Sequence, residues 1–94
     1  MQTVKIFSVW DSKSKTFSQP FYAMTVGVAT RNFTDLVNDP QTQVNKYPDD
    51  FTLFELGEFE DSTGKISSEN GPQSVINAMA VLREDRPQSL KAVS

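Results

Sequence analysis

The stretch Asn45-Lys46-Tyr47-Pro48-Asp49-Asp50-Phe51-Thr52-Leu53-Phe54-Glu55-Leu56-Gly57-Glu58-Phe59-Glu60-Asp61 passes from a polar, proline-stopped loop through an apolar segment into an acidic turn. From Phe51 to Phe59 the side chains alternate. Phe51, Leu53, Glu55 and Phe59 fall on one side, and Thr52, Phe54, Leu56 and Glu58 on the other. A period of two is that of a β-strand, and apolar residues on both sides mark a central one. Gly57 inside the run predicts a bulge or a close backbone contact.

Outward from this strand the other elements follow. Thr3 to Trp10 alternates, with Val4, Ile6 and Trp10 on one side and Lys5 and Phe7 on the other. The turn Asp11-Ser12-Lys13-Ser14-Lys15 leads to a returning strand over Thr16 to Phe21, with Pro20 marking its end or an edge. Val26, Ala29, Phe33 and Val37 repeat at helical spacing behind Thr25, an acceptable N-cap, and Asn38-Asp39-Pro40 stops the run. Residues 39–50 read as a polar loop. Asp61-Ser62-Thr63-Gly64 turns into a short strand at Lys65 to Ser67. After Asn70-Gly71-Pro72, the spacing of Val75, Ile76, Met79 and Leu82 predicts a second amphipathic helix, starting near Pro72 or Ser74 and ending near Arg83. Arg86 to Ser94 reads as a frayed tail. The expected fold is α+β, a small antiparallel sheet of about four strands with two helices in the order ββαββα, forming a single domain over residues 1–94.

Composition narrows the chemistry. Cysteine and histidine are both absent from the 94 residues. That removes disulfides, thiolate metal sites, the cysteine nucleophile, the commonest general base and the commonest zinc ligand. No glycine-rich phosphate loop is present, and no histidine or well-placed lysine stands ready to activate a serine. Glu58, Glu60 and Asp61 match no calcium-loop spacing and read as a solvated acidic turn, so neither a metal nor another cofactor is expected. The chain does not read as an enzyme. Short apolar runs and the lack of a leader pattern read as a soluble, non-secreted protein with no membrane span.

The net charge of −3 is unevenly spread. Residues 1–48 hold five cations against three anions, and residues 49–94 hold four cations against nine anions. Lys5, Lys13 and Lys15 fall on the first hairpin, Arg31 and Lys46 extend the basic set, and Trp10, Tyr22 and Tyr47 are candidate stacking faces. Single-stranded nucleic acid needs this combination, cations for phosphates and flat rings for unstacked bases. Four phosphate contacts by Lys5, Lys13, Lys15 and Arg31 imply a slope of log affinity on log salt of roughly −3. Trp10 has a competing assignment, since its face is shared with Val4 and Ile6 and reads as core packing.

The segments Val4-Lys5-Ile6-Phe7-Ser8-Val9-Trp10-Asp11-Ser12-Lys13, Phe33-Thr34-Asp35-Leu36-Val37-Asn38-Asp39-Pro40 and Asn45 to Asp61, in this order and spacing, resemble the small nonstructural protein of gokushoviruses, single-stranded DNA microviruses of bacteria. The resemblance covers roughly residues 3–66. It implies an accessory protein in the bacterial host cytoplasm, acting in the switch from duplex replication to single-strand synthesis and genome packaging. Two partner classes are compatible with it. One is single-stranded DNA, bound directly; the other is a viral protein, the replication initiator or the procapsid, docked by a non-enzymatic adaptor. Phe51, Phe54, Leu56, Phe59, Phe7 and Val9 exceed what one covered sheet face needs, so a homodimer is expected as well.

Overall fold

The computed structural model describes residues 2–83. In chain order the elements are β1 (Thr3–Asp11), β2 (Thr16–Phe17), β3 (Phe21–Ala23), α1 (Val26–Val37), α2 (Gln43–Lys46), β4 (Phe51–Glu60), β5 (Lys65–Ser67) and β6 (Gln73–Asn77), with short 3-10 turns at Pro48–Asp50 and Ala78–Ala80. β1 and β4 pair antiparallel over their whole length, from Thr3↔Glu60 to Asp11↔Phe51. β2 and β3 pair with the outer edge of β1, and β5 and β6 with the outer edge of β4. The fold is thus α+β as expected, with six strands rather than four, because each outer position of the sheet is shared by two short strands.

The single return strand expected over Thr16 to Phe21 is broken for a local reason. Pro20 has no N–H for the ladder. At the break, Ser18 keeps one backbone bond, its N–H to the Val9 carbonyl at 2.8 Å, and side chains supply the rest: its carbonyl accepts from Ser8 Oγ at 2.7 Å and its Oγ accepts from the Val9 N–H at 3.0 Å. These bonds satisfy Ser8, which is fully buried.

α1 begins where Thr25 Oγ1 accepts the Val28 N–H at 3.1 Å, and it buries Ala29, Phe33 and Val37 against Phe7, Val9, Ala23 and Leu53. The polar loop expected at 39–50 is largely structured. Thr42 caps α2, and the buried Asn45 donates through Nδ2 to the Val37 carbonyl at 2.9 Å, tying α2 to the end of α1.

The second amphipathic helix is not formed. Gln73–Asn77 is strand β6, followed by the 3-10 turn, and Met79, expected to face inward, is exposed. Val75 and Ile76 are β-branched and lose rotamer freedom in a helix, whereas pairing with Thr52–Glu55 satisfies the outer edge of β4. Asn77 then starts the turn, donating to the Phe51 carbonyl at 3.0 Å and accepting the Met79 N–H at 3.0 Å. The tail expected at Arg86 to Ser94 lies outside the described residues.

The bulge predicted at Gly57 is present. The β1–β4 register passes from Ile6↔Gly57 to Phe7↔Glu55, leaving Leu56 unpaired. Gly57 also makes the close contact, since a Cβ there would run into the Ser67 carbonyl oxygen. One face assignment is corrected. The helices cover the side of β1 that carries Phe7 and Val9, so Trp10, on the opposite side with Val4 and Ile6, takes no part in the core cluster.

Candidate nucleic-acid interface

Trp10 is the last residue of β1 on the helix-free face of the sheet. Directly opposite it in the ladder stands Phe17 of β2, ring centroids 4.8 Å apart, and Phe17 meets Phe54 of β4 edge-on at 5.3 Å. Cross-strand register forces this grouping, since paired residues point to the same face of a sheet. Trp10 and Phe54 are half-buried and Phe17 is 41% exposed, so the cluster presents ring surface to solvent. Neither Phe17 nor Phe54 was among the sequence-level candidates. Their signal was the alternation within each strand, but which face stays open is a property of where the helices dock.

The turn joining β1 to β2 follows after Asp11, one residue beyond Trp10. Lys13 and Lys15 are both exposed on it. The Asp11 side chain fixes the turn by accepting the Lys13 N–H at Oδ1 (3.0 Å), and its carbonyl accepts the Lys15 N–H at 2.8 Å. Lys15 sits at φ 59°, in the left-handed region that favours glycine. Two lysines and a three-ring cluster therefore share one end of the molecule.

Tyr47 joins them from another element. With Lys13, Asp11, Gln43, Asp50 and Phe51 it lines a shallow cleft of about 300 Å³. Lys46, next to it at the end of α2, is exposed. Asp11 and Asp50 in the same cleft offset Lys13, so its floor is not a phosphate cradle; the cationic surface is the turn itself.

The other candidates lie elsewhere. Lys5 is on the helix-covered side of β1, where its Nζ reaches Glu55 Oε2 at 3.2 Å and Glu58 Oε2 at 3.8 Å. Arg31 is exposed on α1, two residues from the buried Ala29 and Phe33 and so on the helix side that faces away from the sheet. Tyr22 is on the helix-free face but further along, opposite Ile6 and 6.1 Å from the Phe59 ring. Among the described residues no three Asp or Glu side chains converge to hold a metal ion, the Glu58, Glu60 and Asp61 group included.

Comparison with curated proteins and with solved structures returned no match. A family model described as Phage ORF5 protein matches residues 4–81, from the second residue of β1 to just past the 3-10 turn that follows β6. With most of its length covered by that match, this chain belongs to the phage ORF5 protein family.

Proposed function

We propose that this phage protein is a non-enzymatic accessory factor that binds single-stranded DNA at the hairpin end of its sheet. Bases unstack onto the Trp10, Phe17 and Phe54 rings while Lys13 and Lys15 meet the phosphates. The observation that carries this reading is Lys15, a long cationic side chain kept at a positive φ next to an exposed ring cluster. Backbone strain tolerated at such a place is a feature of binding sites. Tyr47 and the exposed Lys46 border the same end.

The resemblance to the gokushovirus nonstructural protein supplies the context, the switch to single-strand synthesis and packaging in the host cytoplasm. A second reading is favoured by one feature. Asp11 and Asp50 beside Lys13 give the cleft a mixed charge, which suits a protein surface, and the chain then acts as an adaptor for the replication initiator or the procapsid. Fluorescence anisotropy with a labelled single-stranded oligonucleotide separates the two. Binding at low salt that weakens as salt rises supports the DNA reading. No binding at low salt overturns it and leaves the adaptor.

A further inference from the structure

The far end of the helix-free face carries a second apolar patch that the hairpin end does not use. Ile6 pairs with Tyr22 on one side and with Gly57 on the other, Val4 pairs with Phe59, and Phe59 pairs with Ile66. Paired positions share a face, so Val4, Tyr22, Phe59 and Ile66 form one strip running across β3, β1, β4 and β5. Tyr22 is 58% exposed and Ile66 64% exposed, although both sit on ladder positions beside large apolar neighbours. None of the strip belongs to the core beneath the helices.

Charge selects the occupant. Every ladder position of the strip is uncharged, and the charged residues flanking it along the strands lie on the opposite face, where Lys5 pairs with Glu58 and Glu60 with Lys65. Nucleic acid requires cations beside the rings, and a membrane surface requires them around the apolar face; this strip has none. A charged protein partner would find no counter-charge. A second copy meets the same neutral strip, so the contact brings no like charges together even though each chain carries −3.

We infer that two copies of this chain pair through the Val4, Tyr22, Phe59 and Ile66 strip, leaving the Lys13 and Lys15 turns free at the outer ends. Sedimentation equilibrium of the full chain tests this. The expected mass is twice the 10.5 kDa protomer, and it should not fall as salt is raised, because no ion pair holds the contact. Ile66→Glu and Tyr22→Glu, both at exposed positions, should each weaken association at least tenfold, with circular dichroism and the urea midpoint of the monomer unchanged. Lys13→Ala with Lys15→Ala should leave the mass as it is. A single-protomer mass at about 100 µM, a dimer that salt dissociates, or a dimer unaffected by both glutamate variants overturns the inference. Oligonucleotide binding by a monomeric wild type would overturn the pairing and leave the proposed function standing.

Discussion

Lys15 and Gly64 occupy the same place in two turns of the same construction. Each is the fifth residue of a turn closed by its own N–H on the carbonyl of the first, Lys15 to Asp11 and Gly64 to Glu60, both at 2.8 Å. Each has a positive φ, 59° and 76°. Glycine adopts that conformation freely, whereas a side chain with a Cβ strains it. The β4–β5 turn thus uses the residue that geometry prefers, and the β1–β2 turn keeps a lysine against that preference. Backbone preference does not account for the lysine, and the proposed phosphate contact would.

Lys15→Gly should therefore separate stability from binding. Relief of the left-handed strain is expected to stabilise the fold by about 1 kcal/mol, which in a domain of this size raises Tm by roughly 4–8 °C. Anisotropy should show weaker oligonucleotide binding in the same variant. An unchanged affinity would remove Lys15 from the site.

The salt dependence should be shallower than the four-cation estimate of roughly −3. Lys5 is held by Glu55 and Glu58, and Arg31 points away from the sheet, which leaves the two turn lysines. Two contacts give a slope of about −1.4, or about sevenfold weaker binding between about 50 and 200 mM salt. Lys5→Met should leave that slope unaltered and change stability by no more than about 1 kcal/mol, the range of a surface ion pair. A slope near −3 that Lys5→Met flattens would put Lys5 on the DNA after all.

Phe17→Ala addresses the rings. Loss of one stacked base is expected to cost about 1–3 kcal/mol of binding. Urea unfolding should change little, because Phe17 lies on the helix-free face at a short edge strand. A large fall in the urea midpoint with unchanged binding would assign the ring to folding alone.

Gly57→Ala should be costly although alanine is small. Its Cβ meets the Ser67 carbonyl oxygen, which is backbone of the paired strand and has little freedom to move, so the bulge and β5 must both shift. A loss of about 1–3 kcal/mol in the urea denaturation free energy is expected. Little or no change would mean that β5 is only loosely held.

Asn38→Ala tests how the C-terminal part of the described chain is fastened. Asn38 Nδ2 donates to the Val81 carbonyl at 3.0 Å, and Asn38 Oδ1 accepts the Arg83 N–H at 2.8 Å, so one side chain joins the end of α1 to the segment after β6. Removing it should cost about 1–3 kcal/mol and speed amide exchange at Arg83. Exchange at Arg83 equal to that of the wild type would show that Val81 and Leu82 packing suffices.

The parts of this protein that its amino-acid order determined are those with a local cause. β1 and β4 follow from period-two alternation, α1 from Thr25 and the Val26, Ala29, Phe33 and Val37 spacing, and the bulge from a glycine inside an apolar strand. The absence of cysteine and histidine was equally direct. What the tertiary structure alone decided depends on contacts between distant segments. Val75, Ile76, Met79 and Leu82 carry a helical spacing, yet the unpaired edge of β4 drew Gln73–Asn77 into the sheet, because a buried N–H or carbonyl left without a partner costs more than a local preference supplies. Likewise, alternation placed Trp10 opposite Phe7 but did not say which side the helices would cover. Docking of α1 onto Phe7, Val9 and Leu53 left Trp10, Phe17 and Phe54 open and placed Lys5 on the covered side beside Glu55, apart from the exposed lysines of the β1–β2 turn.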